Sequence, residues 1–268
     1  MPSMPGHRSP GLELQGTTEM RALPGGPQQK RLSRGDKATL RRLRTRAPNR
    51  SYGMHQSGHE ISTPVLMTIL KILQLNTMRS KACMEALIND KQTAEIDILL
   101  IQEPSISYYR THTQHRCWQL YQPNPAANSE GRCRSLIYVN KRLSPSAHKQ
   151  VQCNNLDATG ILVNTSAGSI LVFSVYIPPI GGTREAAEAE LQNTLQALDM
   201  TITQNTPNSD GACHLVIGGD FNRQDPLWGG DNIQPYRVGE ATGLVGFMEE
   251  HGLYHQLQRG QATCWTLT

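Results

Sequence analysis

Short apolar runs recur between residues 67 and 220 and set the strongest limit on the fold. Runs of this kind, rich in Ile, Leu and Val and bounded by turn-forming residues, are typical of strands buried inside a protein. The predicted strands occupy residues 67–76, 96–104, 135–143, 160–165, 169–179 and a run that contains Leu215, Val216 and Ile217. A short turn at 166–168 predicts a hairpin between two of them, so mixed sheets are expected.

Stretches with helical spacing of apolar residues separate these runs. Helices are predicted over 81–92, over 183–204 and near 240–251, and the second is expected to start at Thr183. The apolar residues that define them are Cys83, Met84, Leu87 and Ile88; Ala187, Leu191, Leu195, Leu198 and Ile202; and Ala241, Leu244, Val245 and Met248. Interleaved strands and helices, with hairpins among them, predict α/β or α+β layers.

The first 62 residues differ in composition from the rest. They hold eleven Lys and Arg against four acidic residues and are rich in Pro, Gly, Gln and Ser. Because such a segment cannot bury enough apolar surface to offset its ordering entropy, we predict a disordered basic tail over 1–62 and a folded domain over 63–268. The basic run at 30–46 is typical of a nucleic-acid contact or a nuclear localisation signal, and equally of a solvated linker.

The sequence shows neither an apolar stretch of about 18 residues, which would span a membrane, nor a secretory h-region near its start. An intracellular and possibly nuclear setting is therefore expected. The six cysteines are widely spaced and form no C-x-x-C pair, so we predict free thiols and no zinc site. A phosphate-binding loop of the G-x-x-x-x-G-K type is also absent from the sequence.

Oxygen-bearing side chains lie at or near the ends of four predicted strands. Asn76, Glu103, and Asp220 with Asn222 end three of them, and Tyr176 lies near the end of the fourth. Ligands collect at the carboxyl ends of strands in layered α/β folds, so these side chains are expected to share one pocket. Carboxylate and amide oxygens are ligands that Mg²⁺ prefers. Each residue also has an ordinary interpretation, namely a turn for the Asp-x-Asn pair, a strand end for Glu103, a helix cap for Asn76, and packing for Tyr176.

Four sequence blocks resemble, in this order, the signature blocks of the endonuclease/exonuclease/phosphatase superfamily: LQLN (73–76), DILLIQEP (97–104), FSVYIPP (173–179) and VIGGDFN (216–222). The blocks SLIYVNKRL (135–143) and DPLWGGD (225–231) also look like the apurinic-type endonuclease domain of non-LTR (LINE-like) retrotransposons, which are associated with reverse transcriptases. The resemblance covers about residues 67–268.

This resemblance implies a four-layer α/β sandwich of two facing mixed sheets with outer helices. It also implies cleavage of DNA phosphodiesters with Mg²⁺, or with Mn²⁺ as the alternative ion. By position, Glu103 would be a metal ligand and Asn76 a neighbour of the metal. Asp220 would position or activate the attacking water, Asn222 would hold the scissile phosphate, and Tyr176 would donate a hydrogen bond to it.

The sequence departs from the family pattern in two places. Met78 stands where the family often has an acidic residue, and the Ser-Asp-His block expected after residue 268 does not occur anywhere in the chain. His251 and His255 lie on or after a predicted helix and are expected to be ordinary surface or core histidines. The last strands are therefore expected to be missing, with a sheet edge left unpaired.

These departures predict weak or absent cleavage, since losing a general acid/base or a phosphate-binding group typically lowers a rate by ~10²–10⁴. Two alternatives stay open: a phosphatase of the same superfamily, and a non-catalytic remnant that binds nucleic acid through its basic tail.

Overall fold

The computed structural model describes residues 20–22, 69–105, 114–123, 133–206, 213–231 and 233–260. In chain order the elements are β1 (Met20–Ala22), β2 (Ile72–Asn76), α1 (Lys81–Asn89), β3 (Ile98–Gln102), β4 (Trp118–Tyr121), β5 (Ser135–Asn140), β6 (His148–Val151), β7 (Ala158–Thr165), β8 (Gly168–Tyr176), α2 (Arg184–Asn205), β9 (Cys213–Asp220), α3 (Pro226–Gly229), α4 (Thr242–Glu250) and β10 (Leu253–His255). Within this described part, no helix is long and apolar enough to cross a membrane.

The strands form two mixed sheets. One sheet has six strands in the order β10-β1-β9-β8-β7-β6, and the other has four in the order β2-β3-β5-β4. Each sheet contains one parallel pair, β8 with β9 and β2 with β3, and the other pairs are antiparallel. Because parallel strands end at the same edge, each sheet brings two strand ends together.

The sheets face each other across an apolar layer. This layer contains Ile98, Leu100, Ile137 and Val139 from the four-stranded sheet and Ile161, Val163, Val172 and Val216 from the six-stranded sheet. Residues on the opposite faces of the same strands pack against the helices: Leu99 and Ile101 against α1, and Phe173 and Ile217 against α2 and α4. The order is therefore helix, sheet, sheet, helix, and the predicted four-layer α/β sandwich is confirmed.

Polar side chains join the sheets beneath the strand ends. Gln102 accepts a hydrogen bond from Gln74 and donates one to Ser174 Oγ, at 2.5 and 2.8 Å. Ser135 Oγ donates to the Ser174 carbonyl at 2.6 Å. These buried groups are satisfied by each other, so they hold one sheet in a fixed position relative to the other.

The three predicted helices are present. Ser80 and Thr183 cap α1 and α2 by accepting from the N–H groups of Cys83 and Ala186. The predicted hairpin is also present, since Thr165 pairs with Gly168. Strand β2 starts later than predicted, at Ile72, and residues 67 and 68 lie outside the described part. The described cysteines are free thiols, and Cys264 lies outside that part.

The prediction of an unpaired sheet edge is wrong over two residues. Met20 and Arg21 of β1 pair with Ile217 and Val216 of β9, and β1 pairs on its other side with β10. The edge of β9 is thus covered there by a segment far away in the sequence. The rest of residues 1–62 lies outside the described part, so the disordered basic tail and the boundary at 62/63 stay predictions.

Candidate active site

The four-stranded sheet contributes Asn76 and Glu103. Asn76 is the last residue of β2 and pairs with Gln102, so Glu103 follows directly beside it. Glu103 has a φ of 43°, a left-handed conformation that an ordinary residue adopts at a cost of about 1–2 kcal/mol. Its carbonyl accepts from Thr77 Oγ1 and from the Arg79 N–H, both at 2.8 Å. These bonds hold the unusual conformation and direct the Glu103 side chain out of the line of the strand.

The six-stranded sheet contributes Tyr176 and Asp220, which end β8 and β9 as the last pair in register. Strand β9 continues through the two glycines before Asp220 and ends at Asp220. A Cβ atom at Gly219 would lie 2.2 Å from the Val175 carbonyl oxygen. Only glycine therefore allows β8 and β9 to approach this closely just below the two functional side chains.

Two contacts between the sheets connect the four side chains. Asn76 Nδ2 donates to Asp220 Oδ2 at 2.7 Å. The Glu103 carboxylate lies close enough to the Tyr176 hydroxyl to raise the pKa of that phenol. The structure therefore brings together Asn76, Glu103, Tyr176 and Asp220, as expected from the strand ends.

The helix-cap interpretation of Asn76 is wrong. Ser80 caps α1, and the Asn76 Oδ1 atom instead accepts from the Met78 N–H at 2.8 Å. With its Nδ2 on Asp220, the amide has a defined orientation, and an amide oxygen keeps a second lone pair for a water or an ion. Met78 is 74% exposed and offers no oxygen where the family often has a carboxylate.

Asn222 lies at the same end of the six-stranded sheet. Its Nδ2 donates to the Ile177 carbonyl at 3.0 Å, and its backbone has a φ of 46°. The structure therefore places Asn222 beside the residue that follows Tyr176, with its amide nitrogen bonded to the backbone. A role in holding a phosphate stays a prediction.

Burial and the neighbouring Glu103 carboxylate raise the pKa of Tyr176 well above its ordinary value. The phenol therefore stays protonated and can donate a hydrogen bond. The guanidinium of Arg134 lies 5.1 Å from the centre of the Tyr176 ring and opposes this shift.

Sequence reasoning missed Arg134, which is held by two acidic residues. Arg134 Nε and Nη2 each donate to Asp157 at 2.6 Å, and Nη2 also donates to Glu190 at 2.9 Å. Asp157 in turn accepts the Tyr176 N–H at its carbonyl, at 2.8 Å. Arg134 and Asp157 are 23 positions apart, and neither ends a predicted strand. No local sequence pattern therefore predicts this ion pair.

The donor set suits Mg²⁺. Two carboxylates, Glu103 and Asp220, and the Asn76 amide converge at one end of the sandwich, and Mg²⁺ usually binds one or two carboxylates and several waters. In the described residues, no group of three or more His, Cys, Asp or Glu side chains forms a metal site. A metal that needs a complete set of protein ligands would not fit, whereas a hard ion that keeps its waters fits this arrangement.

His251 and His255 belong to other surroundings. His251 caps the end of α4, with its ring 4.4 Å from that of Phe247 and its Nε2 3.2 Å from Asp199. His255 ends β10, with its ring 6.0 Å from that of Trp228. The residues that they contact are not predicted site residues. This agrees with the expectation that both are ordinary surface or core histidines.

Comparison with known proteins supports the retrotransposon resemblance. Residues 170–268 match the family model described as endonuclease-reverse transcriptase. The solved endonuclease domain of TRAS1, a telomere-specific non-LTR retrotransposon, is similar at a TM-score of 0.50 and 22% identity, over 68% of this chain and 71% of that one. No curated protein matches the sequence.

A second solved structure has the same fold. The AP endonuclease LMAP from Leishmania major is similar at a TM-score of 0.52 and 11% identity, over 68% of this chain and 66% of that one. The chain thus spans slightly less than two thirds of that enzyme. At these identities the two likenesses establish the fold, and the family model adds a sequence likeness over residues 170–268. The chain therefore has the fold of these endonucleases and is similar, over its C-terminal part, to the family described as endonuclease-reverse transcriptase.

Proposed function

We propose that the chain carries a metal-dependent endonuclease site that hydrolyses DNA phosphodiesters. The observation that carries the proposal is the hydrogen bond between the sheets from Asn76 to Asp220, with the Glu103 carboxylate acting on the Tyr176 hydroxyl beside it. These contacts join two carboxylates, an amide and a protonated phenol at one end of the sandwich, and such a donor set suits phosphoryl transfer with Mg²⁺. The two similar proteins are an endonuclease domain of a retrotransposon and an AP endonuclease of Leishmania major, which agrees with this proposal.

In this proposal, Glu103 and Asn76 hold Mg²⁺, or alternatively Mn²⁺. When bound, the ion would polarise a phosphoryl oxygen and stabilise charge on the leaving oxygen. Asp220 Oδ2 is held by Asn76, so its other oxygen is available to orient a water and take up its proton. The water oxygen bonds to phosphorus, the bond from phosphorus to the leaving oxygen breaks, and that oxygen is protonated by solvent.

Tyr176 and Asn222 would hold the phosphate. The Tyr176 phenol stays protonated because its pKa is raised. It can therefore donate a hydrogen bond to a non-bridging phosphate oxygen once Glu103 binds the metal ion. Asn222 would act beside it, after its Nδ2 exchanges the Ile177 carbonyl for the phosphate.

The sequence contains no Asp-His pair, so we propose that residues 1–268 cleave slowly for want of a general acid/base of that kind. A nuclear setting, indicated by the basic run at 30–46, belongs to the same proposal.

A plasmid-nicking assay and a metal titration test this together. We expect slow conversion of supercoiled to open-circular plasmid with Mg²⁺, abolished in Asp220→Ala. Titration with Mg²⁺ should show binding that Glu103→Ala removes. Glu85→Ala is the matched control, because it deletes an exposed carboxylate on α1 whose ion pair, within the described residues, is with Lys81 at 3.5 Å.

Three results would contradict the proposal. Nicking that persists in Asp220→Ala would place the activity elsewhere, and metal binding that survives Glu103→Ala would displace the ion from this pocket. Hydrolysis of a phosphoinositide without any of DNA would favour a phosphatase. Fast nicking, lost in Asp220→Ala, would refute only the expected slow rate.

A further inference from the structure

Met78 and Arg79 form a two-residue segment between β2 and α1, at the rim of the candidate active site. Both have left-handed backbone, with φ of 48° and 57°. The Met78 N–H donates to Asn76 Oδ1, and the Arg79 N–H donates to the Glu103 carbonyl, each at 2.8 Å. Strained conformations persist when their surroundings fix them, and they cluster at functional sites. Here the groups that fix the segment are two candidate metal-site residues.

The side chains of this segment point away from the protein core. Met78 is 74% exposed, which is unusual for a large apolar residue beside a polar pocket. The Arg79 side chain is 64% exposed, although its Nε lies 3.5 Å from Glu103 Oε2. An exposed ion pair of this length contributes little to stability, so the guanidinium can exchange Glu103 for another anion with little loss.

We propose that Met78 and Arg79 are a DNA-contacting pair, an inference that rests on the proposed endonuclease function. Arg79 leaves Glu103 for a backbone phosphate next to the scissile one, and Met78 packs against the adjoining sugar and base. A guanidinium binds phosphate through two parallel hydrogen bonds, and exposed apolar side chains pack against base steps that a protein has opened. The exchange also frees Glu103 from a competing cation when the substrate arrives.

The position of the pair follows from its anchors. Asn76 holds Met78 through one atom of its amide and Asp220 through the other. Glu103 holds Arg79 through both its carbonyl and its carboxylate. The pair therefore moves with the residues proposed to act on the scissile phosphate, and the phosphate that Arg79 reaches must neighbour that one.

Fluorescence anisotropy with a labelled DNA duplex, in EDTA and over a series of salt concentrations, tests the proposal on the full chain. The logarithm of the binding constant falls with the logarithm of the salt concentration, and each phosphate contact contributes about 0.9 to the steepness of this fall. We expect Arg79→Ala to make the fall less steep by about 1 and Arg79→Lys to leave it unchanged. Lys149→Ala is the matched control, since it removes the same charge from an exposed position on β6, at the far edge of the six-stranded sheet.

The methionine is tested in the same assay. We expect Met78→Ala to weaken binding about 3–10-fold without a change in slope, because it removes an apolar contact and no charge. Met200→Ala on α2, where Met200 is 50% exposed, is its matched control and should bind as the parent does. Thermal melts of all variants establish that they are folded, and Arg79→Gln replaces Arg79→Ala if the latter is not.

Equal slopes for Arg79→Ala and Lys149→Ala would overturn the proposal for Arg79, and equal affinities for Met78→Ala and Met200→Ala would overturn it for Met78. A parent chain that binds no duplex would overturn both. Since the assay contains no metal, a failure of Mg²⁺-dependent nicking leaves these results intact, and nicking with an unchanged salt slope defeats this inference alone.

Discussion

At the end of the four-stranded sheet the candidate active site is bordered by an exposed arginine, whereas at the end of the six-stranded sheet it rests on a buried one. On the first side, the Arg79 side chain is largely exposed and pairs with Glu103. On the second side, Arg223 is 5% exposed, and among the described residues its side chain donates to the carbonyl groups of Pro178, Asn222 and Ala187. Both sides use arginine, but in opposite ways.

The buried side acts as a fixed support. Arg223 ties the residues that follow β8 to α2. Arg134, which precedes β5 of the four-stranded sheet, reaches across to Asp157 and lies against the ring of Tyr176. A guanidinium has five donors in a planar fork, so one side chain can join several separate segments. On the exposed side, Arg79 contacts Glu103 of the neighbouring loop through an exposed ion pair, and a substrate can displace this contact.

Matched substitutions of the two arginines should give the largest difference. Arg223→Met leaves three carbonyl groups with fewer donors in a buried place, and we expect it to lower the free energy of unfolding by about 2–4 kcal/mol. Arg79→Met removes one exposed ion pair and should change that free energy by less than about 0.5 kcal/mol. Urea denaturation of both variants measures the contrast. Equal losses would show that the two sides do not differ in rigidity.

The hydroxyl of Tyr176 is where the two sides meet, and its removal should have the next largest effect. Tyr176→Phe keeps the ring on Arg134 but removes the donor, so we expect nicking to fall about 10²-fold with little change in stability. Because burial and Glu103 raise the Tyr176 pKa, the phenol stays protonated, and the ratio of parent to variant rates should stay constant from about pH 7 to 9.5.

Tyr236→Phe is the control for this measurement, since Tyr236 is 76% exposed on the surface. A ratio that shrinks as the pH rises would mean that Tyr176 loses its proton in this range. The deprotonated Tyr176 could then no longer donate a hydrogen bond in the site, contrary to the effect expected from its burial.

The sequence predicted the parts of the site that follow from strand ends. Asn76, Glu103 and Asp220 were predicted because an apolar run stops at each of them, and Tyr176 because it lies near the end of another run. Parallel pairing then brings the ends within each sheet to one edge. The strands β4 and β6 were missed because they lie at sheet edges and carry exposed residues, such as Lys149, that interrupt an apolar run.

The supports of the site could not be predicted in the same way. Arg134 and Arg223 contact residues 23 and 36 positions away, and each contact depends on where a loop passes over a sheet. The left-handed Glu103 was also beyond prediction, because a positive φ is rare outside glycine and is imposed here by bonds from Thr77 and Arg79. The need for glycine at position 219 is likewise a long-range effect, because it comes from the approach of the Val175 carbonyl.

The smallest expected effect concerns pH and the outer end of the six-stranded sheet. Burial lowers the pKa of His255 below its ordinary value, although a hydrogen bond from its Nδ1 to the Leu257 carbonyl opposes this. The folded chain therefore holds this histidine neutral, while the unfolded chain takes up a proton as the pH falls through about 6.5. The contribution of His255 to stability is thus present above that pH and lost below it.

Urea denaturation at two pH values tests this sign. The loss of unfolding free energy between about pH 7.5 and 5.5 should be smaller in His255→Gln than in the parent. It should not vanish, because burial also lowers the pKa of His148 on β6, which adds a loss of the same sign. Gln256→Ala, an exposed neighbour without a titrating group, should match the parent. A larger loss in His255→Gln would mean that the folded protein favours the charged ring. The charged His255 would then stabilise the six-stranded sheet at low pH.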